Sequence, residues 1–332
     1  MKKHFFSVLL TLMLSIVSIY PQAVKTINNS SWFFTVKQDF GFKSGQMNEI
    51  VLQQNKYNLM GKLSELNWEV TPELYVGLEL ETGWKFLSLS TRVTTMATDF
   101  GRNGKMYDSD WAGLTWMQTN YSISQNDLLY DWSIDSKINF TFNPISTLFA
   151  VLYVGVSYSD TSFSANWGYG WYGDSNSTGL GYNSPYWVSA AKFYGSGSLY
   201  GVDYCRKNIN VLLGTTASYT FWNRLELKLD VAMAPFTYIY SNDTHYGRMY
   251  YVYYLDQPMG YFQFFDFGLS ASYKITQRLS VGAKYSISFL NQIEGRSSVK
   301  NSFSFYYTYT NTTQAAASGY MNDFNIFVKY AF

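Results

Sequence analysis

Phe324-Asn325-Ile326-Phe327-Val328-Lys329-Tyr330-Ala331-Phe332 closes the sequence. Phe324, Ile326, Val328, Tyr330 and Phe332 alternate with Asn325, Phe327, Lys329 and Ala331. Side chains on a strand point to opposite faces in turn, so this period of two predicts a β-strand with one strongly apolar face. Similar segments recur upstream, as in Leu74-Tyr75-Val76-Gly77-Leu78-Glu79-Leu80 and Leu225-Glu226-Leu227-Lys228-Leu229-Asp230-Val231. The alternation predicts ten strands, near 31–42, 62–71, 73–86, 127–142, 147–160, 207–221, 224–241, 259–274, 278–291 and 320–332. Four connections read as tight: Thr71 to Glu73, Asn143 to Ser146, Trp222 to Asn223, and Ile275 to Gln277. The other five are long and polar.

Composition says what the strands face. Aromatic residues make up 20% of the chain, with 31 Tyr, 25 Phe and 10 Trp. Charged residues are 14%, against about 25% in an average soluble domain. Mean hydropathy is nevertheless −0.14. Apolar side chains turned to lipid, polar ones turned to a lumen and aromatic girdles at the interfaces give this balance. No stretch after the leader reaches about 18 uninterrupted apolar residues, the length of a spanning helix. The expected fold is therefore all-β, a ten-stranded antiparallel transmembrane β-barrel. The final segment resembles the closing strand of outer-membrane proteins. Short turns belong on the periplasmic side of such barrels and long loops outside.

At the other end, Lys2 and Lys3 precede the apolar run Phe5 to Ile19. This reads as a signal peptide over residues 1–23, cut after Ala23, with residues 24–332 forming one barrel domain. A net charge of +1 argues against a nucleic-acid partner. A single cysteine, Cys205, allows no intramolecular disulfide and no cysteine metal cluster. Gly-Tyr-Gly-Trp-Tyr-Gly at 168–173 suggests either a ligand patch or an extension of the barrel wall into the 161–206 loop.

His4 lies in the leader, so His245 is the one histidine of the mature chain. Its imidazole titrates nearest neutrality and suits a general base. Asp243 stands two residues before it, and Asp108 and Asp110 have the same spacing. Residues two apart in an extended segment share a face. The ten-strand topology places Asp108 and Asp110 in the second long loop, and Asp243 and His245 just past the top of the seventh strand, at one rim. The bland alternatives are solvated loop charges for the aspartates and an aromatic-belt histidine for His245. A hydrolytic zinc site usually has two or more histidines, so one His with three Asp argues against metal, and no cofactor is expected.

These motifs resemble the omptin family of outer-membrane proteases. Asp108-Ser109-Asp110-Trp111 and Asp243-Thr244-His245 match its Asp-x-Asp-Trp and Asp-x-His signatures. Gly41-Phe42-Lys43-Ser44-Gly45 with Glu49 resembles its first loop, and Ser64-Glu65-Leu66-Asn67-Trp68 its second-strand motif. The resemblance runs from about residue 31 to Phe332. It implies a monomeric endopeptidase in the bacterial outer membrane, acting on extracellular peptides or proteins from a groove on the cell exterior. It also implies that Glu49 binds a basic substrate residue. The family usually carries a second acidic residue four positions before the histidine; here it is Ser241, which implies a weaker basic preference. Family members need lipid A, held by charged residues on the outer wall. Val156-Ser157-Tyr158-Ser159-Asp160 lacks that pattern and Lys207 alone is little, so lipopolysaccharide dependence is not expected. A non-catalytic surface barrel, acting as adhesin or receptor, is the rival reading. A small porin is disfavoured, because a ten-stranded lumen is largely filled by side chains.

Overall fold

The computed structural model describes residues 32–54, 60–97, 104–111, 118, 120–145, 148–172, 193–194, 201–246 and 251–332. The expected signal peptide lies outside them. The described strands are β1 (Trp32–Gln54), β2 (Met60–Trp84), β3 (Leu87–Met96), β4 (Gly104–Asp110), β5 (Asn120–Ile145), β6 (Leu148–Tyr172), β7 (Phe193–Tyr194), β8 (Val202–Phe221), β9 (Leu225–His245), β10 (Val252–Gly260), β11 (Phe264–Lys274), β12 (Leu279–Asn301) and β13 (Thr308–Ala331).

All described pairings are antiparallel, and they close on themselves. β1 pairs with β2 on one side and with β13 on the other, through Thr35 opposite Ala331 and onward to Gln53 opposite Thr313. β3 and β4 share one wall position between β2 and β5. β10 and β11 share another between β9 and β12. β7 is a two-residue ribbon beside β6. Thirteen strands thus occupy ten wall positions, and the barrel has ten staves.

Alternation sorts the side chains. Phe40, Phe42, Leu89, Ile134, Leu152 and Val156 are exposed on the outer face. The inner face carries charge: Arg92 Nε donates to Asp39 Oδ2 at 2.9 Å, Lys43 Nζ to Asp131 Oδ2 at 2.7 Å, and Lys37 pairs with Glu79. Gly77 is required at this level, because a Cβ there would lie 1.8 Å from Asp39 Oδ1. Higher up, the lumen fills with apolar side chains. Leu66, Trp68, Val70, Met106, Leu128, Phe163, Ala165, Val202 and Tyr204 form one buried cluster, with Met47, Met96 and Met321 packed against it. Trp68 stacks on Tyr204 at 5.1 Å and on Phe163 at 5.6 Å. A second cluster joins Ile239, Leu290, Ile293 and Ala317.

Two expectations are corrected. The tight turn at Thr71 to Glu73 does not exist, since β2 runs unbroken through Met60–Trp84. Thr71 and Pro72 sit at a register shift, where Lys43 pairs with Glu73 but Gly45 with Val70. A bulge is where a strand tolerates proline, which lacks the N–H that a regular ladder uses. The turn lies instead between Trp84 and Leu87, with Lys85 at φ 54°. The segments at 62–71 and 73–86 are therefore one strand, and the third wall, β3 with β4, was missed. The expected strand at 259–274 is also divided: β10 ends at Gly260 and β11 begins at Phe264, with Phe262 at φ 57° between them. The Trp222–Asn223 turn is as expected, with both residues at positive φ (49° and 58°), the geometry that joins twisted hairpin strands. Residues 168–172 extend the wall within β6.

The strands are far longer than a membrane requires. β1 has 23 residues and β5 has 26, whereas a spanning strand needs about 9–11. The surplus stands at the end with the long connections, opposite the turns at 84–87, 221–225 and 274–279. The outer face records the change: Phe236, Tyr238 and Tyr240 on β9 give way to Asn242 and Thr244.

The closed sheet should hold in cold detergent and unfold on boiling, giving two electrophoretic mobilities; a helix-dominated circular dichroism spectrum would sink this fold. Arg92→Ala strands the buried Asp39 carboxylate, which is 1% exposed. It should cost about 3–5 kcal/mol, as removal of one partner from a buried pair does, read from urea titration of the mobility shift.

Candidate active site

The inner faces of β1, β2, β4, β8, β9 and β10 converge above the aromatic cluster. One lateral row runs Ala317, Glu49, Leu66, Asp108 and Ser122 across β13, β1, β2, β4 and β5. Opposite it, β9 presents three inward positions in succession, Ser241, Asp243 and His245. Their neighbours on β8 are Arg206, Tyr204 and Val202, and on β10 Asp256, Tyr254 and Val252.

Asp243 and His245 meet as the spacing predicts. His245 Nε2 lies 2.5 Å from Asp243 Oδ2, and the Asp243 residue is only 3% exposed. The His245 ring also meets Tyr254 edge-on at 5.3 Å. The carboxylate thereby fixes the ring and faces the positive charge the ring gains on protonation.

Asp108 and Asp110 lie in β4, not in a loop. They stand two and four residues beyond Met106, and Asn120 Nδ2 donates to Asp110 Oδ2 at 3.4 Å. The aromatic cluster ties this wall to the other. Asp108 pairs with Leu66 and Met106 with Trp68, while Asp243 pairs with Tyr204 and His245 with Val202. Leu66, Met106, Trp68, Tyr204 and Val202 all belong to that cluster. The two aspartates and the Asp–His pair therefore stand on facing walls above one packed floor.

Glu49 was expected in the first loop and is instead well inside β1, 3% exposed. It stands seven residues beyond Phe42, the last exposed apolar residue on β1's outer face, so it lies above the membrane band. Burial, then the charges of Asp243 and Asp256, push its carboxyl well above the usual range. Ser241 is buried on β9 directly opposite Asp256. Asp256 was not singled out from sequence. Burial raises its carboxyl to about 6.

A cavity of about 430 Å³ occupies the lumen below the cluster, lined by Lys43, Glu73, Arg92 and Asp131 among others. None of the Asp–His pair, Asp108, Asp110 or Glu49 lines it, so this void lies away from the candidate chemistry. Among the described residues no three His, Cys, Asp or Glu side chains are grouped to hold a metal ion. On the outer wall, Asp160 on β6 is opposed to Lys207 on β8, with 3.9 Å between the charges, and Cys205 Sγ lies 3.3 Å from the Tyr130 hydroxyl.

Comparison with solved structures supplies the context. The barrel is similar to the outer membrane protease OmpT from Escherichia coli, with a TM-score of 0.78 at 19% identity, over 90% of this chain and 97% of that one. The translocator domain of autotransporter NalP from Neisseria meningitidis aligns over 100% of this chain and 98% of that one, at a TM-score of 0.34 and 9% identity. Neisserial surface protein A aligns over 90% and 97%, at 0.28 and 9%. No curated protein matches by sequence. Residues 31–332 match the Omptin family as a whole. The chain belongs to the omptin family, with the barrel fold of an outer-membrane protease.

Proposed function

We propose that this protein is an endopeptidase of the bacterial outer membrane, with its groove on the cell exterior, where it hydrolyses extracellular polypeptides. The observation that carries the reading is the 2.5 Å contact of Asp243 with His245, on the wall facing Asp108 and Asp110.

The nucleophile is water. Asp108 and Asp110 hold it from one wall while the His245 nitrogen turned from Asp243 takes its proton. The water oxygen attacks the scissile carbonyl carbon. Asp243 stabilises the imidazolium, and the same proton passes to the leaving amine as the tetrahedral intermediate collapses. No seryl or cysteinyl nucleophile takes part. Cys205 sits in the outer-wall contact with Tyr130, away from this groove. Glu49, buried within electrostatic reach of the Asp–His pair, receives an Arg or Lys side chain before the cleaved bond. A guanidinium forks onto a carboxylate through two charge-assisted hydrogen bonds.

The protein acts as a monomer and without a strict need for lipopolysaccharide. The outer-wall stretch Val156 to Asp160 presents one carboxylate, already facing Lys207, in place of a charged cluster.

His245→Ala should lower cleavage of a mixed peptide library by at least ~10²-fold, the usual worth of a general base. Asp243→Asn should cost comparably by favouring the wrong tautomer, while the folded mobility in cold detergent stays unchanged. Wild-type activity should rise with pH as the imidazole loses its proton, since only the neutral ring is a base. Full activity in His245→Ala would rule out this mechanism and favour an adhesin or receptor on the same scaffold. Reconstitution in defined detergent, with and without lipid A, should give cleavage in both; activity only with lipid A would refute the lipid reading.

A further inference from the structure

The weaker basic preference inferred from Ser241 assumes that no other carboxylate replaces the missing one. The sheet register speaks against that assumption. Ser241 on β9 is directly opposite Asp256 on β10, and Asp256 is in turn opposite Ser297 on β12. Residues directly opposite on antiparallel strands share a face, with Cβ atoms about 4.5–5.5 Å apart. A carboxylate on residue 256 therefore enters the same part of the groove as one on residue 241 would.

Three further observations bear on it. Asp256 is 4% exposed and Glu49 3%. Oδ1 of Asp256 and Oε2 of Glu49 are buried without a hydrogen-bond partner among the described residues. Burying a carboxylate oxygen unpaired is costly, and such a pair persists where a cationic guest completes it. Between these strands, β13 presents the small side chains of Ala317 and Ala315, opposite Glu49 and Val51. The nearby cation Arg206 gives its hydrogen bonds to other groups, Nε to Asn208 Oδ1 at 2.8 Å and Nη1 to the Ser318 carbonyl at 3.1 Å, while its charge acts on Glu49 from a distance.

We propose that Asp256 is the second carboxylate of the basic-residue pocket, moved across one strand pair from position 241, so that Glu49 and Asp256 together receive an Arg or Lys side chain. The proposal rests on the proteolytic reading for its place in a reaction, but the pocket can be tested by binding alone. The charge of Asp256 is among the influences, after burial and Asp243, that raise the Glu49 carboxyl, and a guest cation between them would act in the opposite direction. Ser241 is then spacing rather than loss, and the preference for Arg is that of a two-carboxylate site.

The experiment uses the full barrel in detergent carrying His245→Ala, so that no peptide is consumed. Two probes are titrated by calorimetry: acetyl-Ala-Ala-Arg-Ala-Ala-amide and its citrulline twin, which keeps the shape and loses the charge. The Arg peptide should bind at least about tenfold tighter, the scale of a charge-assisted contact. Asp256→Asn should remove most of that ratio while citrulline binding stays level. The exchanged pair Ser241→Asp with Asp256→Ser, which keeps the carboxylate count, should retain it and guards against a variant that fails to fold. An unchanged Arg-to-citrulline ratio in Asp256→Asn overturns the assignment, as does an equal loss for both peptides. In the protein with His245 intact, the same ratio should appear in kcat/KM. Selective binding without cleavage would sink the protease reading and leave the Asp256 assignment standing.

Discussion

Closure of β1 on β13 is the constraint on which everything else depends. A sheet in lipid cannot leave an edge, because no water is present to satisfy its N–H and C=O groups. The pairing from Thr35–Ala331 to Gln53–Thr313 removes that edge along nearly the whole length of β1. Once the cylinder closes, every inward side chain faces another wall. The charges at its lower level must then pair, as Arg92 does with Asp39 and Lys43 with Asp131. At the upper level the aromatic cluster fills the space that narrow walls leave.

The same closure assembles the candidate site. Glu49, Asp108, Asp243 and Asp256 come from four strands, and only Asp243 and Asp256, on the paired strands β9 and β10, are near one another in the chain. Register rather than sequence spacing makes them neighbours. Each sits on a rigid ladder, so the site does not depend on loop order. A catalytic geometry held on strands tolerates less drift than one held on loops.

Sequence made the class of fold and the Asp–His pair legible, because both are expressed in spacing. Alternation betrays a strand directly, and residues two apart must share its face. Thr71-Pro72 misled because proline signals a turn in most contexts, and a bulge inside a strand has the same local signature. With one false turn placed there, β3 was overlooked although Leu87-Ser88-Leu89-Ser90 alternates plainly. Asp108, Asp110 and Glu49 were assigned to loops because strands were cut at membrane length, whereas these run well beyond it. Asp256 was invisible for a different reason. Its importance lies in facing Ser241, and that follows from how β9 and β10 align, which no spacing within either strand encodes.

The floor of stacked rings has a consequence for permeability. Leu66, Trp68, Met106, Leu128, Phe163 and Tyr204 reach inward from β2, β4, β5, β6 and β8, and Ile239, Leu290 and Ala317 from β9, β12 and β13. They separate the groove above from the charged cavity below. The barrel resembles a cup more than a tube: a polypeptide lying across its mouth meets packed apolar side chains, which stand between it and the lumen below. A barrel built this way can carry a groove in an outer membrane without opening a wide pore through the barrier that holds it.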